Sequence, residues 1–325
     1  MQIDNSSGRA PSPATVAAST GLIVFVWAFN FIAAKIGLLT LPGLAMASFR
    51  VLVAGIVMVP TYLLCLRLPA FAEAAAIYRG GFKIRDIWTF VYLGFLGVGV
   101  NQLSFTIGLQ FTSVGHAAVI VGLGPFYVFV LAVLFRLETA TPRKITGMLI
   151  AITGVVILAT ETARNGGASS LLGDAIVMAG SIGFSMYVVL GKRVAGKYDS
   201  LTMTAFNHFA GALLVAPIAA YMALKMHSVR NLVSQPWQAW AAVAYMAVFS
   251  SALAYVFYFW LLRYLEASQL SAFTYLLPVA ATVLGILWLG EKGSWGQVLG
   301  GVLALGGVYW IESARAAVAK AISAP

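Results

Sequence analysis

From residue 16 onward the chain is a series of apolar runs of about 18 to 26 residues, separated by short clusters of charge, glycine and proline. The hydrocarbon core of a bilayer takes about 20 mostly apolar residues of helix. Reading the runs against their punctuation predicts ten spanning helices: 16–39, 43–66, 88–111, 113–135, 143–160, 172–191, 200–225, 238–262, 267–290 and 294–312. Only Thr40-Leu41-Pro42 separates the first pair, and only Thr112-Ser113 the third and fourth, so these neighbours are expected to be antiparallel. Residues 1–15, with Ser, Pro and Gly, read as a flexible tail, and 313–325 as a second one. A cleaved signal peptide is the rival reading of the first run. Against it, the run is long and contains Asn30 and Lys35. Within 67–87, Pro69 to Arg79 is expected to form a short interfacial helix with Phe71, Ile77 and Tyr78 turned inward.

Composition sharpens this picture. Of 325 residues, 61% are hydrophobic and 9% charged, where a soluble domain carries about 25% charge. That balance excludes a water-soluble fold, disorder, a disulfide scaffold and a coiled coil, and leaves an all-α polytopic membrane protein. The lone Cys65 can form neither an internal disulfide nor a multi-cysteine metal site, and no cofactor is expected. The net charge of +10 comes without basic blocks or aromatic-basic interleaving, so no nucleic-acid partner is inferred. It records orientation instead. With both ends inside, the inner segments hold 14 basic residues: Arg9; Arg67, Arg79, Lys83 and Arg85; Arg136, Arg143 and Lys144; Lys192, Arg193 and Lys197; Arg263; Arg315 and Lys320. The outer loops hold four, Arg164, Lys225, Arg230 and Lys292, which predicts N-in/C-in.

The runs also repeat. Pro125/Pro278, Glu138/Glu291, Gly147/Gly300 and Gly154/Gly307 fall on one offset of 153 residues, and Met46/Met203, Phe49/Phe206 and Pro60/Pro217 on an offset of 157. Each half, 16–160 and 172–312, therefore holds five spans. Because five is odd, the second half enters the membrane in the opposite sense, giving a 5+5 inverted repeat. Such a repeat suits alternating access. A duplicated scaffold with no transport role is the plainer reading.

Trp27-Ala-Phe-Asn30, Phe49-Arg50, Leu109-Gln-Phe-Thr-Ser113 leading into Pro125 and Glu138, and Leu289-Gly290-Glu291 followed by Gly300 and Gly307 resemble the EamA-type family of drug/metabolite transporters. The resemblance covers about 16–312. It implies a ten-helix 5+5 fold and a secondary carrier, commonly an exporter of amino acids or related metabolites. It also implies a multi-pass protein of the cell membrane, in a bacterium the inner membrane.

Pro125 and Pro278 sit near the middle of their spans and cannot donate to Val121 and Thr274, so hinges or packing kinks are expected there. Polar groups at lipid depth are costly and face a cavity or a partner helix. Asn30, Asn101 and Gln102 are the expected polar anchors of a substrate site, with Phe184, Tyr187, Tyr258 and Tyr275 as its aromatic walls. Ser250, Ser251, Tyr255 and Trp260 belong to the same reading, although an aromatic taken singly is more simply a lipid or interface contact. Arg50 lies seven residues into its span, roughly 11 Å from the end. It is read first as a structural or snorkelling cation and second as a carboxylate anchor. Lys35, near a helix end, reads as snorkelling. His208 and His116 read as packing groups.

Glu138 and Glu291 are expected to favour the N-terminus of the adjoining helix, with gate latching as the alternative. The glycine pairs 147/154 and 300/307, with Gly296, predict close helix packing, and homodimerisation is one version of it. The chain lacks GxxxxGK[ST], HExxH and GxSxG, which argues against ATP hydrolysis or catalysis. The expected function is a secondary transporter of small organic metabolites. A scaffold or receptor, or an intramembrane enzyme acting on lipid, stands as the alternative.

Overall fold

The computed structural model describes residues 11–80, 84–112, 114–164, 170–225, 234–289 and 294–322, and among these every regular element is helical. In the first half, α1 spans Pro13–Leu38, α2 Gly43–Cys65 and α3 Ala72–Gly80. α4 then runs over 84–111, α5 is Val114–Gly122, α6 Gly124–Leu134 and α7 Pro142–Arg164. The second half follows with α8 Leu171–Val194, α9 Ser200–Lys225, α10 over 237–264, α11 Ala267–Ala272, α12 Leu276–Leu289 and α13 Trp295–Ile322. The first and last helices reach into both segments read as tails. α3, preceded by the 3₁₀ turn Pro69–Phe71, is the expected short helix. Phe71 and Ile77 are half-buried, but Tyr78 is 48% exposed, because it packs only its ring edge against Tyr62.

Among the described residues, six helices are long and apolar enough to cross a membrane: α1, α2, α4 from Asp86, α8, α9 and α10. They correspond to the first three predicted runs of each half. Two of the remaining predicted runs are interrupted. The fourth is cut at Leu123 into α5 and α6, and the ninth is cut by the 3₁₀ turn Phe273–Tyr275 into α11 and α12. These cuts fall at the same place in both halves, just ahead of Pro125 and Pro278. Each proline thereby lies in the first turn of a new helix, where no backbone donor is missed. Gly122, at the first cut, sits beside Pro278 at the second: a Cβ there would be 3.7 Å from the proline ring.

A second paired irregularity was not anticipated. α4 widens into a π-helical stretch at Gly94–Val100, and α10 does the same at Met246–Leu253. π turns shift a helix's register and leave carbonyls open to side-chain donors.

The halves meet through like helices. α7 packs on α13 with their glycines face to face: a Cβ on Gly307 would lie 2.5 Å from Ala151 N and 2.6 Å from Gly147 O. A Cβ on Gly154 would meet Gly300 O at 2.5 Å. The predicted glycine faces are thus used within the chain. α2 packs on α9 in the same manner, with Gly55 against Ala212 and His208.

Helix ends are tied by charge. Lys35 donates to the Leu109 and Thr112 carbonyls at 2.9 and 3.1 Å, closing the end of α4. Lys192 donates to Leu262 and Leu265 at 2.6 and 2.7 Å, closing the end of α10. Lys35 and Lys192 are 157 residues apart and their acceptors 153, so one cap occurs twice. The amine that reads as snorkelling is therefore a helix cap. Lys197 donates to Asp86, and that carboxylate holds the lysine above its ordinary pKa.

Candidate functional site

Between α1, α2, α4, α8, α10 and the two broken spans lies a cavity of about 90 Å³, part of it open at its mouth. Its polar lining includes Asn30, Arg50, Asn101, Gln102, Ser250 and Tyr255, and its apolar lining Trp27, Phe31, Phe105, Val128, Phe184 and Leu277. Both cuts contribute, through Val121 and Gly124 on one side and Ser271 and Thr274 on the other.

The π stretches arrange much of this wall. Trp27 Nε1 donates to the Ser250 carbonyl at 3.1 Å, within the second stretch. The Tyr255 hydroxyl lies 3.4 Å from the Gly97 carbonyl, at the matching place in the first, and 3.3 Å from Asn101 Oδ1. Asn101 Nδ2 donates to Gly180 O at 3.1 Å, so this amide ties three helices together while bordering the cavity. Gln102 is buried and accepts from Ser251 Oγ at 2.9 Å. His208 packs behind it, 3.5 Å from the Gln102 amide nitrogen, with Nδ1 2.9 Å from Thr204 O.

Arg50 is buried, 4% exposed, and reaches across to α10. Its Nε donates to Ser251 Oγ at 3.1 Å, and Nη2 makes a long 3.5 Å contact with Ser250 Oγ. Nη1 has no hydrogen-bond partner, nor does Asn30 Oδ1 on the same cavity. The guanidinium thus turns inward onto serines presented by a π turn, and neither snorkels nor pairs with a glutamate.

Of the residues expected at the site, Asn30, Asn101, Gln102 and Phe184 surround this cavity. Tyr187, Tyr258 and Tyr275 do not line it. Tyr187 is fully buried behind it, its hydroxyl accepting from Asn207 at 3.3 Å. Tyr258 packs 5.5 Å from Trp27 and borders a much smaller space of about 10 Å³. Tyr275 is buried in the 3₁₀ turn of the ninth span. Trp27 was passed over as a site residue, while Arg50, Ser250 and Tyr255, expected only as secondary readings, line the cavity as well. The signal for Arg50 was its depth in α2.

Glu138 is positioned by the end of α6. There Arg136 takes φ 57°, and Leu137 N donates to Ala132 O at 2.8 Å, a left-handed helix stop that usually uses glycine. The carboxylate then caps a distant helix instead of the adjoining one: it accepts from Ser268 N at 3.0 Å and from the Ser268 hydroxyl, at the start of α11. Lys144 bridges Glu138 at 2.9 Å to Glu266 at 2.5 Å. Glu291 lies outside the described residues. Among the described residues no cluster of His, Cys, Asp or Glu could hold a metal.

Comparison with known proteins agrees with this architecture. The EamA-like transporter family matches residues 17–160 and again 171–313. An uncharacterized transporter of Archaeoglobus fulgidus is 26% identical over 90% of this chain and 97% of its own. YyaM, an uncharacterized transporter of Bacillus subtilis, is 30% identical over 68% of this chain and 71% of its own. A protein of Streptantibioticus cattleyicolor named "Probable terminal-alkyne amino-acid exporter" is 25% identical over 76% of this chain and 82% of its own. One crystal structure superposes with a TM-score of 0.68 over 96% of this chain and all of its own, at 17% identity, a likeness of fold. Two successive matches that together cover most of the chain make it a multi-pass membrane protein with two EamA repeats, a member of the EamA-like transporter family.

Proposed function

We propose that the protein is a secondary transporter of small organic metabolites such as amino acids, acting as an exporter in the cell membrane by alternating access. The observation that carries this reading is the pair of matched breaks, at Leu123 and at Phe273–Tyr275, flanking one polar cavity. Discontinuous helices in corresponding positions of two repeats are where carriers bind solute. The topology we propose has ten spans, N-in and C-in, with the four interrupted or polar-ended helices completing the six long ones. Each half then inverts the other, so rocking one set of spans against the other exchanges the face to which the cavity opens.

In this reading Asn30, Asn101 and Gln102 supply polar contacts to solute and Trp27, Phe184 and Tyr255 its aromatic wall. Tyr187, Tyr258 and Tyr275 hold that wall from behind. Pro125 and Pro278 begin the helices that swing, and Glu138 latches α11. The amino-acid class is supported by the cavity's mixed amide and aromatic lining and by the name of one relative at 25% identity.

Counterflow of labelled amino acids into liposomes holding the purified protein tests the proposal. The expected result is saturable uptake, driven by unlabelled solute inside and absent from protein-free liposomes. Folded protein with no counterflow of amino acids or a broader metabolite panel would move the scaffold reading ahead.

A further inference from the structure

We infer that the cavity is a carboxylate receptor, and that the Arg50 guanidinium is the group that selects a solute bearing one carboxylate over the matching amide or amine. This deepens the carrier reading above and rests on it for the solute's path. The binding chemistry stands on the geometry of Arg50 alone.

A guanidinium has five donors and keeps its charge at any physiological pH. At lipid depth that charge is expensive unless paired or hydrogen-bonded. Arg50, which lines the cavity, uses its donors on neutral serine hydroxyls, at 3.1 Å through Nε and 3.5 Å through Nη2, while its buried Nη1 has no partner. Among the described residues, no carboxylate lines that cavity. The acids that carry ion pairs, Asp86, Glu138 and Glu266, are engaged with Lys197 and Lys144 elsewhere. The cavity therefore carries one uncompensated positive charge.

The walls narrow the class of anion. Among the described residues Arg50 is the one cationic side chain in the lining, which suits a single carboxylate better than a phosphate dianion. Phe31, Phe105 and Leu277 offer apolar surface to the rest of the solute. Asn30 Oδ1, an acceptor without a partner on the same cavity, suits a donor on the solute beside its carboxylate. The shared chemistry is an anion on Nη1, and its two sources are an organic carboxylate or an inorganic ion such as chloride.

The test uses the full chain in nanodiscs and in liposomes, with two matched series. One is leucine, leucinamide, 3-methylbutylamine and 4-methylpentanoate. The other is phenylalanine, phenylalaninamide, phenethylamine and 3-phenylpropanoate. Stabilisation against heat reads binding, and competition in counterflow reads transport. The carboxylates should bind and compete, and their amides and amines should do so at least tenfold more weakly. Arg50→Gln should lower apparent carboxylate affinity about 30-fold or more, the cost of leaving a buried charge partner unpaired. Arg50→Lys keeps the charge without the planar fork, and should retain the preference while weakening it several-fold.

Amides or amines binding as well as the acids would overturn the inference, as would no binding by any member of either series. Saturation by chloride alone, in an isethionate background, would replace the organic carboxylate with an inorganic anion and also overturn it. If Arg50→Gln does not fold, wild-type affinity in Arg50→Lys would overturn it in turn. Carboxylate-selective binding without counterflow would sustain the receptor and sink the carrier. Counterflow of cationic or neutral solutes without that selectivity would do the reverse.

Discussion

At 30 and 50 the first half places Asn and Arg; 157 residues later, at 187 and 207, the second places Tyr and Asn. Tyr187 and Asn207 are fully buried and hydrogen-bonded to each other at 3.3 Å, away from the cavity. Asn30 and Arg50 line the cavity; each has an atom without a partner, as has Asn207 at Oδ1, so it is the place on the cavity that separates the two pairs. At other positions the halves agree closely. Lys35 and Lys192 cap matching helix ends, the π stretches and breaks recur, and the glycines of α7 and α13 meet reciprocally. Duplication accounts for the frame, where one solution to packing and backbone satisfaction serves twice. The cavity arises where the copies diverge, and it needs only one of each pair to remain open.

The sharpest way to break the symmetric frame is at its tightest contact. Gly307→Val puts side-chain atoms against Ala151 N and Gly147 O, which are backbone and cannot turn aside. Overpacking costs ~1–3 kcal/mol and sometimes more, and this substitution belongs at or beyond the top of that range. Loss of the monodisperse folded fraction in detergent is the expected readout, with Gly154→Val behaving alike. A tolerant Gly307 beside an intolerant Gly154 would mean that the two glycine faces are not equivalent.

The lysine caps come next. Lys35→Met and Lys192→Met each leave two helix-end carbonyls without their donor, at about 1–3 kcal/mol for such unsatisfied groups. Both variants should lower the melting midpoint, by similar amounts. A drop in only one would show that the shared geometry no longer carries shared energy.

These features differ in how visible they were beforehand. The repeat and the two breaks were legible because proline and glycine at one offset are improbable by chance in an apolar chain, and proline acts on the backbone wherever it stands. The π stretches were not. Gly94–Val100 contains no proline or charge, and Met246–Leu253 only two serines, so neither interrupts the hydropathy that predicts a helix. Arg50 was legible as a polar group at depth, but its place on a cavity ranked only second among its readings. Its direction depends on the rotation of α2, and a helix apolar on all sides does not reveal that from sequence. The same blindness put Tyr187, Tyr258 and Tyr275 with the amides, when the rings of Tyr187 and Tyr258 face other rings and Tyr275 is buried off the cavity. Glu138 read as serving its neighbouring helix because spacing along the chain favours local partners. It does pair with Lys144 of that helix, but the backbone N–H it caps, that of Ser268, lies 130 residues away.

The smallest effect tests the divergence itself. Asn207→Ala removes the donor to Tyr187 and should cost about 1 kcal/mol of stability. Solute affinity should change little, since Asn207 does not line the cavity. Asn30→Ala removes a buried acceptor that has no partner, so stability should hold or rise slightly, while affinity for an amino acid falls. Melting midpoints and counterflow affinities of the two variants, measured side by side, give the contrast. Opposite responses would mean that the copies have divided labour at one structural position, packing in one half and recognition in the other. Parallel losses of stability would mean that Asn30 also belongs to the frame, and the asymmetry of the cavity would then rest on Arg50 alone.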